Sequence, residues 1–382
     1  MINLAQKDIS HTLGKFIVTA MGVGMLLGIV LIMIGVYRGM MVDAEMLLND
    51  INVDLWVVQE DTLGPFAEAS KVHEDLKDTL KSIEGIHASE ALTFQNLQLY
   101  GQKLPVRVTA VGFDPFGKIS PVDPSNLISG RMIAKDHYEA VISSETGFVL
   151  HDKITIGRNI YTIVGTTKGT VSSGGELLIY ISLKDAQELQ FSYSNASIRN
   201  DRARGALANT DIHMVNTIVA TIKPGYNVEE IAQDIRKWKH LSVYTNEEQT
   251  TILTKNLVER AAKQIGLFTA ILVVVSTIII GLIIYTMTLE KMKEISIMKL
   301  IGIPDSIIIK MVVQETVLLG FFAFIFGNIF SHLIYEKFPK TVVLQAPDAL
   351  GLFAVILVSS IVASFVGVGK VIHADPTVAI GG

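Results

Sequence analysis

Residues Gly112-Phe-Asp-Pro-Phe-Gly117-Lys118 have the Gly-x-x-x-x-Gly-Lys spacing of a loop that cradles phosphate with backbone N–H groups. Two details argue against that chemistry. Ile119 stands where a Ser or Thr hydroxyl would hold magnesium, and Pro115 removes one of the N–H donors. The nine histidines contain no His-Glu-x-x-His pair, with His137, His151 and His213 scattered, and no serine sits in Gly-x-Ser-x-Gly. Zero cysteines exclude a disulfide framework, a thiolate zinc site, an iron–sulfur cluster and a cysteine nucleophile. Glu315 and His332 lie near the ends of a late apolar run, within reach of the interfaces, which argues against a carrier with buried carboxylates and against an intramembrane protease. No catalytic, cofactor-binding or metal-ligating residue is assigned.

A different kind of site lies in Glu290-Lys-Met-Lys293-Glu294-Ile295-Ser-Ile-Met298-Lys299-Leu300-Ile-Gly302-Ile-Pro304. Charged turns are followed by apolar residues that need cover, and Gly302 with Pro304 predicts the stop of a short helix. Asp305 or Ser306 is suited to cap the next helix. Such a segment fits a partner's groove, and an interfacial helix lying on lipid has much the same pattern.

These segments sit in an unusually apolar chain: 382 residues, 49% hydrophobic, only 18% charged, with a mean hydropathy of +0.44. Soluble domains run at about 25% charged. The net charge of −5, from 32 Lys+Arg and 37 Asp+Glu, gives no reason to expect a nucleic-acid partner. Residues 16–36 carry no charge and as a helix measure about 31 Å, matching a hydrocarbon core of about 30 Å. A cleavable signal would have a shorter apolar region and a small-x-small site, so a membrane anchor is the better reading. Three further spans are predicted at 265–289, 312–335 and 350–372, separated by a cytoplasmic loop at 290–311 and a short outer loop at 336–349. The expectation is a multi-pass α-helical membrane protein with four transmembrane helices in a 1+3 arrangement. A large α+β extracytoplasmic domain lies between helices 1 and 2. Lys7, Lys15, Lys291, Lys293, Lys299, Lys310 and Lys370 outnumber Arg38, Arg260, Lys263, Lys337 and Lys340 on the other side. That bias places the 1–15 and 373–382 segments inside and the domain at 37–264 outside. Gly24-Met-Leu-Leu-Gly28 permits close helix approach, either within the chain or across a dimer seam.

In the outer domain, strands are expected at 54–58, 96–100 and 105–111, the last two paired across Gly101-Gln-Lys, with a helix at 71–83. Strands at 215–222 and 241–244 flank a helix at 228–239 and return to the same layer, while a strand-rich middle at 127–209 is an inserted subdomain. Residues 195–210, with Arg199, Asp201, Arg202 and Arg204, read as an exposed loop. Thr245-Asn-Glu-Glu248 has capping-box spacing. Leu253, Leu257, Ala261 and Ile265 then recur every four residues, which predicts a stalk helix from about 246 to 264 running on into the second span. A docking helix and a mechanical shaft share that periodicity.

The Glu290–Gly302 run resembles the signature of FtsX-like, MacB-type ABC transporter permeases, where Glu-x-x-x-Glu-Ile-x-x-hydrophobic-Arg/Lys-x-hydrophobic-Gly forms the cytoplasmic coupling helix. Val111-Gly-Phe-Asp-Pro115, Ile128-Ser-Gly-Arg131, Tyr161-Thr-Ile-Val-Gly165 and the terminal His373-Ala-Asp-Pro-Thr-Val-Ala379 resemble other recurrent blocks of that family. Asn52-Val-Asp-Leu-Trp-Val-Val58 is similar to the DevC-like branch. The resemblance implies a non-catalytic permease subunit of the inner membrane, with ATP and magnesium bound by two copies of a separate ATPase and a second permease copy completing a homodimer. The fused ATPase domain of some MacB proteins is not expected, because about 15 residues precede the first span.

By that resemblance Glu290, Lys293, Glu294 and Lys299 supply charges at the ATPase contact, Ile295, Met298 and Leu300 fill its groove, and Gly302 ends the helix. Nucleotide-driven closure then moves the stalk helices by mechanotransmission. Export of lipids, glycolipids, peptides or drugs, with a periplasmic adaptor and an outer-membrane channel, is the leading expectation. An FtsX-like regulator of envelope enzymes and a LolC/LolE-like lipoprotein release permease share the architecture, and a sensor without an ATPase is the remaining alternative.

Overall fold

The computed structural model describes residues 13–66, 68–100, 105–191, 213–255, 259–338 and 340–372. The 195–210 loop, the Gly101 turn, Leu257 and the C-terminal His373–Ala379 block lie outside them. Two units emerge, one of residues 1–39 with 261–382 and one of residues 40–260.

Among the described residues, the membrane unit is built on four helices long and apolar enough to cross a bilayer. They are α1 (Leu13–Ile51), α6 (Glu259–Glu290), α8 (Asp305–Ile334) and α9 (Ala346–Ile372), with the short α7 (Met292–Leu300) between α6 and α8. Phe16, Ala20, Val23, Leu27 and Leu31 of α1 recur at helical spacing and pack with Ile284, Val312, Leu319, Ala323 and Ile356 in one core. α1 is longer than the predicted 16–36 span. Its 39 residues continue to Ile51 because Ala44, Leu47, Leu48 and Ile51 form a second apolar stripe, buried in the core of the outer unit. One helix therefore contributes residues to both units.

Gly24 and Gly28 face α8 of the same chain, which corrects the dimer-seam expectation. A Cβ at Gly24 would lie 2.7 Å from the Ala323 carbonyl oxygen, and one at Gly28 would lie 2.8 Å from that of Gly327. Both glycines are thus consumed by in-chain backbone contact.

Among the described residues, the outer unit is organised around a ten-stranded sheet. Its strands are β1 (Leu55–Gln59), β3 (Ile86–Tyr100), β4 (Pro105–Phe113), β5 (Leu127–Gly130), β6 (Glu139–Ser143), β7 (Lys153–Ile156), β8 (Asn159–Thr167), β9 (Leu177–Ser182), β11 (Thr217–Ile222) and β12 (Leu241–Thr245). The order is β12-β1-β11-β3-β4-β9-β6-β8-β5, with β7 on β8. The middle strands continue the sheet laid down by the two ends of the insert. The join is the long β3–β4 antiparallel ladder, from which β9 runs parallel to β4. The helix expected at 71–83 is shorter, α2 (Leu76–Lys81), and is preceded by β2 (Val72–His73), which pairs with β10 (Met214–Val215). Helices α2, α3 (Leu183–Phe191) and α4 (Val228–Arg236) cover the sheet edges and faces. Ile231, Ala232 and Ile235 of α4 are buried beside Leu55 and Val243.

The stalk differs from the expectation. Thr245 and Glu248 form the capping box that starts α5 (Asn246–Leu253). The backbone then turns to π-helical geometry at Thr254 and Lys255. Leu253 is buried in the outer domain's core beside Trp56 and Leu92, while Ala261 and Ile265 are half-buried on α6 of the membrane unit. Residues read as one stripe are therefore divided between two units.

Candidate coupling site

One end of the membrane bundle is defined by ion pairs. Lys15 near the start of α1 pairs with Glu290 at the end of α6 at 2.9 Å. Lys299 of α7 pairs with Asp305 of α8 at 3.1 Å and reaches the Ile372 carbonyl oxygen at the end of α9 at 3.4 Å. The opposite end is closed by Arg38, whose guanidinium grips both carboxylate oxygens of Asp348.

α7 sits at the first of these ends. Lys291 interrupts the helical path after α6 and stands at the position just before the first turn of α7. Its side chain is only 11% exposed, and Nζ donates to Oε1 of Glu315 on α8 at 2.8 Å. Glu315, expected within reach of an interface, is instead buried and paired with Lys291. The other end of α7 is closed by a paired 5→2 and 6→1 hydrogen-bond motif. Gly302 donates to the Lys299 carbonyl and Ile303 to that of Met298, both at 3.0 Å. Gly302 adopts φ +90°, a left-handed conformation that only glycine takes without strain. Pro304, rather than Asp305 or Ser306, occupies the cap position of α8, so Asp305 is free to stand in its first turn and hold Lys299.

With both ends pinned, α7 presents two faces. Ile295 is buried in the bundle core with Met298 packed against it. Ile297, Leu300 and Ile301 are 47%, 49% and 75% exposed, and Lys293 and Glu294 are exposed beside them. Spacings of three, four and seven residues set these five on one side of the helix. This revises the expected roles: Ile295 and Met298 hold α7 to the bundle, Lys299 is tied to Asp305, and Ile297 and Ile301 join Leu300 on the outward face. No apolar-count argument finds this, because isoleucines occupy both faces.

Comparison with known proteins bears on this arrangement. Residues 16–238 match the family of MacB-like periplasmic core domains, and residues 266–376 match the FtsX-like permease C-terminal family. The chain belongs to the FtsX-like, MacB-type permeases. An uncharacterized ABC transporter permease of Mycobacterium tuberculosis is 22% identical over the full length of both chains. A protein of Staphylococcus haemolyticus named as a hemin transport system permease, HrtB, is 23% identical over 100% of this chain and 99% of its own. The crystal structure of the periplasmic region of MacB from Actinobacillus actinomycetemcomitans covers 52% of this chain and 92% of its own, at 9% identity and a TM-score of 0.36. The chain is thus a membrane protein and an ABC transporter permease, and permease subunits of this kind are typically non-catalytic.

In the outer domain of this permease, the Gly112–Lys118 segment closes on itself. The Gly117 amide donates to the Asp114 carbonyl, and the Lys118 amide to the Glu90 carboxylate at 3.2 Å. A carboxylate already occupies the place a phosphate would need. Among the described residues no group of three or more His, Asp or Glu side chains is arranged to hold a metal ion.

Proposed function

We propose that this permease couples ATP hydrolysis by a separate ATPase to movement of its outer domain. Two copies of that ATPase dock beneath α7 of a permease pair. The outward face of α7, with Lys293 and Glu294 beside Ile297, Leu300 and Ile301, carries this reading: it offers charge and apolar surface together on a helix fixed at both ends. Mechanotransmission is supported by α1, whose side chains enter the core of each unit. Cargo need not cross the membrane bundle, whose core is apolar and whose buried Glu315 is paired with Lys291. The cargo is lipophilic or amphipathic, a lipid, glycolipid, peptide or drug, collected on the outer side of the inner membrane and handed to an adaptor and outer-membrane channel.

Because Gly24 and Gly28 are used within the chain, the second copy is assigned to α6. Its Leu267, Ile271, Val274, Ile278 and Leu282 form an exposed apolar stripe at helical spacing.

The test is co-purification with the cognate ATPase and measurement of its turnover. Glu294→Lys and Ile301→Asp are expected to leave the protein inserted and folded but to abolish binding and stimulation of the ATPase. Wild-type stimulation in both variants would overturn the assignment.

A further inference from the structure

The outer domain carries a cleft open to solvent on one side, with a volume of about 430 Å³, within the range that small-molecule sites occupy. It lies entirely within residues 65–216, between the β3–β4 ladder and the segments around Phe66 and Ser173. One wall is aromatic: Phe66 and Phe94 stand 4.7 Å apart between ring centroids at a tilt of 53°. The remaining wall is polar, and its chemistry is one-sided.

Glu68 and Glu176 line the cavity, and no Lys, Arg or His does. Neither carboxylate has a salt-bridge partner among the described residues. Thr109 Oγ1 lies 3.0 Å from both Asn96 Oδ1 and Glu176 Oε2. A hydroxyl has one proton and serves one of those acceptors at a time, so the other stays open. Ser173 is only 8% exposed and, among the described residues, neither its hydroxyl nor the Oε1 of Gln190, also on the lining, has a partner. Buried polar atoms are ordinarily paired, so unpaired ones lining a cavity mark contacts that a ligand would complete. The surplus here is of acceptors and negative charge beside aromatic rings.

We propose that this cavity is a binding site for an organic cation: an alkylammonium group, with three N–H donors, carried on an aromatic or apolar body. The ammonium donates to Glu176 and to the open hydroxyl oxygen of Ser173 while Thr109 serves Asn96, and the body packs on Phe66 and Phe94, whose ring faces also attract a cation. Glu68, at the exposed rim, adds attraction at longer range. The site lies wholly in one unit and stands or falls independently of ATPase docking.

The test uses the full-length chain in detergent, with 2-phenylethylammonium as probe and neutral 2-phenylethanol as its isostere. Binding is read by saturation transfer from protein to phenyl protons in NMR. Saturable binding of the ammonium is expected, weakened about tenfold or more by Glu176→Gln, as loss of a charged hydrogen bond implies, and weaker to a similar degree for the alcohol. Glu68→Gln, at a rim position that leaves the Thr109 contact intact, is expected to give a smaller loss that disappears at high salt. Equal affinity for the two probes, unchanged binding in Glu176→Gln, or no saturable binding up to about 10 mM, near the weak limit of a specific fragment contact, would overturn the proposal.

Discussion

Lys291 Nζ donates to Glu315 Oε1 at 2.8 Å, and both side chains are almost wholly buried. The pair joins the α6–α7 break to the first half of α8, so the position of α7 is set by a charge contact as well as by packing. Removing one partner leaves the other charge buried, which costs about 3–5 kcal/mol, whereas replacing both by apolar groups is often neutral. Lys291→Met and Glu315→Leu are each expected to lower the thermal unfolding temperature in detergent sharply, and the double variant to recover most of the loss. Single variants as stable as the parent would show that the pair contributes nothing to holding α7.

The two faces of α7 predict opposite phenotypes for neighbouring isoleucines. Ile295→Ala removes a fully buried side chain and is expected to destabilise the bundle by about 2–5 kcal/mol while leaving the outward face intact. Ile301→Asp, at a position 75% exposed, is expected to change stability by less than about 0.5 kcal/mol and to abolish capture of the ATPase. Thermal unfolding and pull-down of the cognate ATPase, measured on the same preparations, separate the two. Loss of capture in Ile295→Ala without loss of stability would reverse the assignment of faces.

Which parts of this were legible in the sequence follows from how local the determinants are. The stop of α7 was readable because Gly302 and Pro304 are chain punctuation, and the start of α5 because Thr245 and Glu248 are three residues apart. The extension of α1 was missed because Asp43, Glu45 and Asn49 interrupt the hydropathy, although Ala44, Leu47, Leu48 and Ile51 keep helical spacing. The outward face of α7 was not readable, since apolar residues lie all round it and the buried side is chosen by α8. Neither the Lys291–Glu315 pair nor the joining of the middle strands to the outer sheet has a local signal, because both depend on residues far apart in the chain.

The contact between α1 and α8 is a backbone contact. A Cβ at Gly327 would lie 2.6 Å from the Gly24 carbonyl oxygen and 3.0 Å from the Gly28 amide nitrogen. Gly327→Ala is therefore expected to push the helices apart at a cost of about 1–3 kcal/mol, as overpacking does. The oligomeric state should not change, because this seam lies within one chain. Cross-linking and light scattering beside thermal unfolding provide the check. Dissociation of a dimer with unaltered stability would restore these glycines to an intermolecular role.

Acid sensitivity should concentrate on Glu139. Its carboxylate accepts two hydrogen bonds from Arg131, at 2.6 and 2.8 Å, and a third from the Ala134 amide at 3.0 Å. The bonds to Arg131 contribute most to holding Glu139 at about 2, well below the ordinary 4.5. A carboxylate whose folded value is depressed stabilises the fold above its unfolded value and loses that contribution as pH falls through the folded one. The window is therefore from about pH 4.5 down to about pH 2. Arg131→Ala is expected to unfold at a lower temperature than the parent at neutral pH, with the difference shrinking as pH falls through that window. Thermal unfolding of both proteins at steps from pH 7 to pH 3 measures it, and a difference that stays constant over that range would mean that Arg131 contributes through packing rather than through the charge of Glu139.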